Sequence, residues 1–375
     1  MRIPLSSPDI TDSEIEAVLR VLRTTQLSMG PKLEEFERRF AEFTGTRCAV
    51  AVSSGTSGLH ACIRALGLGP GDEVITTPFS FIASANALLY EGVVPVFVDI
   101  DPQTLNIDPA KIEAAITPRT RALLIVHVFG CPSPMRQIIA VARRHGLKVI
   151  EDACEATGAE IDGKKVGGIG DIGVYGFYPN KQITTGEGGM VVTNDTSLSS
   201  SVKMCRNQGR DGTGDWFDHS VLGYNYRLSE MNCALGIAQL ERIEDILLMR
   251  ESVARRYREK LKDNANLILP EPQLAGGRIS WFTYVVRLSE RFTRADRDRI
   301  VFGMKKEGIG CGRYFAPIHL QPLYVKLFGY KEGDFPFTEE NAARSIALPF
   351  FNRITDDQID EVSGRLCELT GLGYR

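Results

Sequence analysis

Lys181 lies in an unusual setting for a lysine, the segment FYPNKQITTGEGGM (177–190). The Pro, Asn, Thr and Gly residues around it are typical of tight turns. A surface lysine needs no such setting, whereas a lysine amine held in a pocket away from water is a nucleophile that forms a Schiff base with an aldehyde. We therefore take Lys181 as a candidate catalytic residue.

A second candidate site is the segment SSGTSGLH (53–60), which follows a strand-like run and begins a helix-like one. Backbone N–H groups around Gly55 and the hydroxyls of Thr56 and Ser57 would be hydrogen-bond donors at a helix N-terminus. Such a terminus suits a phosphate dianion. An ordinary Ser/Thr helix cap explains the same pattern, so this motif alone leaves both interpretations open.

Asp152 ends the strand-like run in VIEDACEATGA (149–159). A carboxylate at this position can cap a helix. It can also pair with a protonated heteroaromatic ring nitrogen, and the ring then withdraws electrons. A phosphate site, a strand-end aspartate and a loop lysine, in this order along an α/β chain, predict pyridoxal 5'-phosphate as the cofactor.

The elements that would position these residues alternate along the chain. Five β-branched runs alternate with helical stretches, and they are CAVAVSS, DEVITT, VVPVFVDI, ALLIVHVF and LKVIEDA. Two more strand-like runs, DIGVYGFYP and GGMVVTND, flank the lysine loop, which gives seven strands in all. Strands that are apolar throughout and separated by helices indicate a mostly parallel sheet that is covered on both faces. Ligands of such sheets bind at the carboxyl ends of the strands. We predict a large domain over residues 1–245, which begins with two helices, and a small C-terminal α+β domain over residues 246–375.

The turn GYNYRLSE (223–230) precedes a long helical stretch that we expect from Ser229 to about Lys262. Asn225 and Arg227 lie in this turn. They would either belong to a capped helix start or reach a cofactor or substrate phosphate across a dimer interface. The polar segment RNQGRDGTGDW (206–216) is a further loop that could close over a substrate.

Composition narrows the class of protein. A chain of 375 residues with 43% hydrophobic and 24% charged residues has the composition of a globular protein. A net charge of −3 argues against nucleic acid or an anionic membrane as a partner. The eight cysteines form no C-x-x-C pair and the histidines have no metal-ligand spacing, so we expect no metal site and a cytoplasmic location.

Taken together, SSGTSGLHACIRALGLGPGDEVITTPFSFIASANA, VIEDACEATGA, NKQITTGEGGMVVTND and GYNYRLSE resemble the motifs of the DegT/StrS family of sugar aminotransferases. The resemblance runs over nearly the whole chain and implies the aspartate-aminotransferase-like fold, PLP fold type I. It implies Lys181 as the internal aldimine lysine and Asp152 as the partner of the pyridine nitrogen. The further cofactor contacts it implies are Gly55, Thr56, Ser57, Phe81 and, from the neighbouring subunit of a homodimer, Asn225.

The chain departs from this family pattern at two positions. Gly176 stands where many members carry a serine that contacts the cofactor phosphate. Glu155 stands where many carry Gln or His beside the phenolic oxygen of the cofactor, so we expect Glu155 to be protonated or turned away. Tyr314 and His319, in RYFAPIHLQPLY, match a run that lies near the substrate in family members, although His319 as a loop histidine that caps a helix explains the sequence equally well.

The resemblance implies a ping-pong aminotransferase. L-Glutamate would donate its amino group and leave as 2-oxoglutarate. The amino group would then pass to a nucleotide-linked keto sugar. The run YPNKQITTGEGGM is most similar to members that act on 4-keto-6-deoxy hexoses, such as perosamine synthases. Two alternatives stay open: a sugar dehydratase of the same fold, although those enzymes have histidine at the lysine position, and a non-catalytic regulator that binds the cofactor.

Overall fold

The computed structural model describes residues 1–211, 215 and 217–371. The segment 206–216 that could close over a substrate includes residues 212–214 and 216, which lie outside the described residues. No helix in the described part of the chain is both long enough and apolar enough to cross a membrane.

A seven-stranded sheet forms the larger part of the molecule, as predicted. Its strands are β1 (Cys48–Val52), β2 (Glu73–Thr76), β3 (Val94–Phe97), β4 (Thr120–Val126), β5 (Lys148–Asp152), β8 (Ile172–Gly176) and β9 (Gly189–Thr193). The strand order is β1-β9-β8-β5-β4-β2-β3, and β9 is antiparallel to both of its neighbours. The other pairings are parallel, so the sheet is mostly parallel.

Helices cover both faces of this sheet, because its strands are apolar on both sides. They are α1 (Asp12–Leu22), α2 (Pro31–Thr44), α3 (Gly55–Ala65), α4 (Ala83–Leu89), α5 (Pro109–Ile112), α6 (Met135–His145), α7 (Thr196–Arg206) and α8 (Glu230–Glu241). Their ends follow the sequence signals. The Glu14 carboxylate accepts the N–H of Thr11 at 2.8 Å, and Gly45 ends α2 with a φ of 70°.

A second core lies around a three-stranded sheet in the C-terminal part of the chain. Its elements are β10 (Leu267–Ile268), β12 (Tyr284–Leu288), β13 (Ser345–Leu348), α9 (Ile243–Leu261), α10 (Arg294–Lys306) and α13 (Asp356–Leu369). Helices α11 (Pro322–Phe328) and α12 (Pro336–Arg344) lie in the same part of the chain, and Tyr324 of α11 packs in a separate cluster with Ala85, Phe97 and Ile318. The short strands β6 (Glu160–Ile161), β7 (Lys164–Lys165) and β11 (Gly277–Arg278) form a small separate sheet. This α+β arrangement agrees with the predicted fold class.

Two details differ from the sequence expectations. The single helix expected from Ser229 to Lys262 is two helices, because the chain leaves helical geometry at Arg242, where φ is −106° and ψ is 10°. Helix α8 packs on α1 and α2, whereas α9 packs on α13 and joins the two cores. Ile243, Ile246 and Leu247 at the start of α9 belong to the core of the large sheet, and Val253, Tyr257 and Leu261 belong to the second core. The expected domain boundary at residue 245 therefore falls within α9, and the Ile3 side chain belongs to the second core. We retain the two-domain division as a proposal.

Candidate active site

A cavity of about 480 Å³ opens where strands β1, β5 and β8 end, at the carboxyl edge of the sheet. It is lined by Ser54, Gly55, Thr56, Leu59, Ser80, Phe81, Ala83, Ser84, Val126, Asp152, Cys154, Glu155, Gly176, Phe177, Tyr178, Asn180, Lys181, Glu187, Gly188, Phe282, Arg313, Tyr314 and Phe315. Seven of the residues singled out from the sequence are among them. A volume of this size is typical of a small-molecule or cofactor site.

Helix α3 brings its N-terminus to this cavity. Ser54 is its N-cap and accepts the N–H of Ser57 at 3.0 Å, while the Ser57 hydroxyl accepts the N–H of Ser54 at 2.9 Å. Ser57 is buried in this reciprocal capping box and does not line the cavity, whereas Gly55 and Thr56 do. The helix therefore presents Gly55 and Thr56 to a ligand, with the partial positive charge of its N-terminus behind them.

The absence of a side chain at Gly55 is a steric requirement. A Cβ atom built there would lie 2.8 Å from the Cys154 Sγ, closer than such atoms approach. A Cβ at Gly176 would lie 3.3 Å from the same sulfur atom. Gly176, which stands where many family members carry a serine, therefore fits its surroundings. Because Gly176 has no side chain, there is room beside it for the side chain of Cys154.

Asp152, the last residue of β5, is buried and held by two hydrogen bonds. Ser84 Oγ donates to its Oδ2 at 2.7 Å, and the Cys154 N–H donates to its Oδ1 at 3.1 Å. These contacts fix the direction of the carboxylate, which lines the cavity. A fixed, shielded carboxylate can stabilise a protonated ring nitrogen.

Lys181 lies in the loop between β8 and β9, and its side chain is 14% exposed. Its Nζ is 3.8 Å from Glu155 Oε1 and 4.1 Å from the centroid of the Phe282 ring. The backbone N–H of Lys181 donates to the Tyr178 carbonyl at 2.9 Å, which closes a turn as expected from the sequence. The amine is therefore shielded from bulk water inside the cavity.

Glu155 points into the same cavity and is nearly fully buried. Its Oε2 accepts the N–H of Phe129 at 3.0 Å. Burial raises the pKa of the Glu155 carboxyl above its ordinary value, and the neighbouring Lys181 partly offsets this rise. Of the two states expected from the sequence, protonated or turned away, this environment favours the protonated one.

Two aromatic residues that were singled out from the sequence line the cavity. Phe81, between β2 and α4, is 61% exposed, so its ring is available to stack on a planar ligand. Tyr314 is stacked on Phe315, with ring centroids 5.0 Å apart, and its hydroxyl faces the same cavity as Asn180. Burial raises the pKa of the Tyr314 hydroxyl, which keeps it neutral.

Asn225, Arg227 and His319 do not line this cavity. Asn225 is exposed, and Arg227 Nη1 donates to Asn207 Oδ1 at 3.0 Å. The turn that carries them is tied to the end of β1, because the Ser53 N–H donates to the Tyr226 carbonyl at 2.8 Å. A role in the cavity of a second subunit stays a prediction for Asn225 and Arg227.

His319 is fully buried in a short 3₁₀ turn, Ile318–Leu320. Its Nε2 is 3.0 Å from Glu339 Oε1, and its ring meets the Phe335 ring edge-on, with centroids 4.7 Å apart. Burial lowers the pKa of His319. These contacts place His319 in a separate cluster around Phe97, Ile318 and Tyr324, among residues that do not line the cavity, and suit the structural alternative.

The cavity residues that sequence reasoning missed include Asn180, Phe282 and Arg313. Two had a usable signal, since Asn180 directly precedes Lys181 and Arg313 directly precedes Tyr314. Phe282 had none, because it comes from a distant segment that only the folded chain brings to Lys181. Among the described residues, no group of three or more His, Cys, Asp or Glu side chains could hold a metal ion.

The cavity fits pyridoxal phosphate residue by residue. Gly55 and Thr56 at the α3 N-terminus suit the phosphate, Asp152 suits the ring nitrogen, and the exposed Phe81 ring suits the ring face. Lys181 is the amine that would bind the aldehyde.

Comparisons with known proteins agree with this fit. A model of the DegT/DnrJ/EryC1/StrS aminotransferase family matches residues 8–367. GDP-perosamine synthase of Caulobacter vibrioides is 41% identical over 368 residues, 97% of each chain. Spore coat polysaccharide biosynthesis protein SpsC of Bacillus subtilis is 40% identical over 370 residues, 96% of this chain and 95% of SpsC.

Solved structures show the same fold. The putative sugar aminotransferase Spr1654 of Streptococcus pneumoniae, in its PMP form, superimposes with a TM-score of 0.93 at 26% identity, over 98% of this chain and 99% of Spr1654. PMP is pyridoxamine phosphate, the aminated form of the cofactor that the cavity fits. The chain therefore belongs to the DegT/DnrJ/EryC1/StrS aminotransferase family and is a pyridoxal phosphate-dependent enzyme.

Proposed function

We propose that this enzyme transfers the amino group of L-glutamate to the keto group of a nucleotide-linked 4-keto-6-deoxy hexose. The observation that carries the proposal is the convergence of Lys181, Asp152 and the α3 N-terminus on one cavity. The similarity to GDP-perosamine synthase and to SpsC supports an amino sugar for polysaccharide assembly as the product. Because both substrates would use the same cavity in turn, we propose ping-pong kinetics.

When bound, pyridoxal phosphate carries the amino group between the two substrates and stabilises negative charge at the reacting carbon. The residues of the chain supply the rest. Asp152, fixed by Ser84 and Cys154, would hold a proton on the ring nitrogen. Lys181 would attach the cofactor and, once released from it, act as general base that moves the proton of the donor α-carbon.

The surroundings of Lys181 suit this proton transfer. Its Nζ lies over the face of the Phe282 ring, which favours a cation at that point, and 3.8 Å from Glu155. Glu155 is favoured in its neutral form by burial, so its carboxyl can donate a hydrogen bond to a phenolate oxygen. A buried neutral acid at this place would avoid the repulsion that an ionised glutamate would cause.

We further propose a homodimer in which two chains build each site. The exposed Asn225 and the neighbouring Arg227 lie in a turn that is anchored by backbone hydrogen bonds and does not serve its own cavity. Such a turn suits the cofactor phosphate or the substrate phosphates of a partner chain. The cytoplasmic location and the lack of nucleic-acid and membrane partners stay predictions.

The test uses the purified protein loaded with pyridoxal phosphate. Borohydride reduction followed by digestion should place a phosphopyridoxyl group on the Lys181 peptide. L-Glutamate, added to a separate sample that has not been reduced, should bleach the visible absorbance band and release 2-oxoglutarate. GDP-, UDP- and dTDP-linked keto sugars should restore the band, with the aminated product identified by NMR.

The same experiment separates the alternatives. A bound cofactor whose spectrum glutamate leaves unchanged would support a non-catalytic regulator. Loss of a sugar hydroxyl without gain of nitrogen would support a dehydratase. Amination at carbon 3 would retain the aminotransferase and replace the 4-keto substrate.

A further inference from the structure

The positive charges of the cavity are few. Among its lining residues in the described part of the chain, the basic side chains are Lys181 and Arg313. Lys181 is occupied by the cofactor in the proposed function. The proposed substrates are nonetheless anions, since glutamate carries two carboxylates and a nucleotide sugar carries a diphosphate. Among the described residues that line this cavity, Arg313 is thus the basic side chain that could bind these anions.

Arg313 is held from one side. Its Nε lies 3.1 Å from Asp298 Oδ1, and that oxygen is also 2.7 Å from the Nε of Arg297. Arg297 is itself buried, and its Nη1 donates to the Ala342 carbonyl at 2.8 Å. A buried arginine therefore anchors Asp298, and Asp298 orients the guanidinium of Arg313.

The other edge of the guanidinium remains available. Within the described part of the chain, the ion pair of Arg313 is made through Nε, no hydrogen bond from Nη1 or Nη2 is found, and the side chain is 55% exposed. A guanidinium fixed through Nε presents its two Nη groups as a fork that matches a carboxylate or a phosphate.

A second polar group of the cavity also lacks a partner. The Asn180 Oδ1 is buried and makes no hydrogen bond in the structure. Asn180 lines the cavity together with Tyr314, the residue after Arg313. Buried acceptors without partners are uncommon, so this oxygen indicates that a donor from a ligand completes the site.

We propose that Arg313 is a substrate-specificity residue that binds an oxyanion, either the carboxylate of the amino donor or the diphosphate of the sugar acceptor. This inference rests on the proposed function, because it takes both anions as substrates. The carboxylate and the diphosphate share the chemistry that the guanidinium recognises, and measurements on each half of the reaction distinguish them.

The kinetic test compares the loaded wild-type enzyme with Arg313→Gln, Arg313→Lys and a matched control, Arg299→Gln. Arg299 is also an exposed arginine paired with a carboxylate, that of Asp296 at 2.9 Å, and it does not line the cavity. In Arg313→Gln, KM for the recognised anion should rise by about 10- to 100-fold, since a charge-assisted hydrogen bond is lost.

In the same measurement kcat should stay within about threefold, because the lost interaction would be equal in the ground state and the transition state. Arg313→Lys should lie between the wild type and Arg313→Gln, since it retains the charge without the fork. Arg299→Gln should behave as the wild type. Melting temperatures should agree within about 2 °C, because all of these side chains are exposed.

A rise confined to the glutamate half-reaction assigns Arg313 to the carboxylate. A rise confined to the sugar half-reaction assigns it to the diphosphate. Unchanged KM values in both halves would overturn the inference.

A binding measurement keeps this inference separate from the proposed function. Titration calorimetry of the loaded enzymes with 2-oxoglutarate and with GDP, UDP and dTDP requires no turnover. If glutamate fails to bleach the wild-type enzyme but one of these anions binds it about tenfold or more tightly than Arg313→Gln, the proposed function fails and the anion site stands. Equal affinities, or no binding to either protein, would contradict the anion site.

Discussion

The close approach of Gly55 to Cys154 makes Gly55→Ala the sharpest test of the predicted phosphate site. The added Cβ would lie 2.8 Å from the Cys154 Sγ, and the next nearest atom is the Gly176 Cα at 3.4 Å, an ordinary contact. The clash is therefore with one side-chain atom. Relief requires the Cys154 side chain to rotate within its buried surroundings or α3 to shift away from it, and a shift of α3 moves the helix N-terminus that would hold the phosphate.

Overpacking of this kind costs about 1–3 kcal/mol, so we expect the free energy of unfolding of Gly55→Ala to fall by that amount. We also expect the affinity for pyridoxal phosphate to fall by about tenfold or more, which corresponds to about 1.4 kcal/mol. Removing the sulfur atom should relieve the clash. The double variant Gly55→Ala/Cys154→Ala should therefore recover most of both losses, with a coupling energy of about 1–3 kcal/mol.

The assay is a double-mutant cycle of the wild type, Gly55→Ala, Cys154→Ala and the double variant. Denaturant unfolding of the cofactor-free proteins gives stability, and equilibrium titration with pyridoxal phosphate gives affinity. Gly69→Ala is the control, because a Cβ at Gly69 would have nothing within 4 Å and its backbone has no left-handed φ. It should change neither quantity.

Additive effects in this cycle would refute the steric reasoning, since they would mean that the Cβ and the sulfur atom do not meet. Lower stability of Gly55→Ala with unchanged cofactor affinity would instead refute the assignment of the α3 N-terminus to the phosphate.

Three other predictions follow from the site and its surroundings. Lys181→Ala should lose the borohydride-stable cofactor label, and its kcat/KM should fall by more than about 100-fold, because the general base is gone; activity within tenfold of the wild type would exclude Lys181 as that base. Glu155→Gln should be at least as stable as the wild type above pH 5 when free of cofactor. Burial raises the pKa of Glu155 in the folded protein above its pKa in the unfolded chain. The contribution of Glu155 to stability is therefore lost as pH rises from the unfolded pKa through the folded pKa, whereas glutamine cannot ionise. Denaturant unfolding between pH 5 and 8 measures this difference, and a Glu155→Gln protein that becomes relatively less stable as pH rises would contradict it. His319→Ala should lower the melting temperature without raising KM for either substrate, because His319 packs on Glu339 and Phe335 outside the cavity. Burial lowers the pKa of His319 in the folded protein, so we expect its stabilising contribution to be present above the ordinary pKa of histidine and to be lost as pH falls through the lowered pKa. A raised KM in His319→Ala would instead assign His319 to the substrate site.

The local sequence was sufficient for the elements and for the centre of the site. The seven strands, the capped helices and the positions of Asp152 and Lys181 at strand ends and in the loop follow from β-branched runs, turn residues and capping patterns, which act over a few neighbouring residues. The carboxyl ends of parallel strands lie at one edge of a sheet. The positions of Gly55, Asp152 and Lys181 after strands therefore predicted that they share one pocket.

Other features depended on side-chain packing between distant segments. Ser57 and Gly55 are neighbours in the same motif, yet only the folded helix shows that Ser57 closes a capping box while Gly55 faces the cavity. The protonation state favoured for Glu155 depends on burial beneath the Phe129 segment, which the sequence around Glu155 does not report.

Packing in the C-terminal part of the chain decided the rest. Phe282 and Arg313 reach the cavity from segments about 100 residues or more beyond Lys181, and His319 turns inward because Glu339 and Phe335 surround it. The sequence by itself therefore determined the fold class and indicated Gly55, Asp152 and Lys181 as candidate cofactor residues, since those signals are local and periodic, whereas Phe81 was indicated by the family resemblance. The residues available to the substrate were decided only by tertiary structure, because they are brought together by long-range packing that leaves no local pattern.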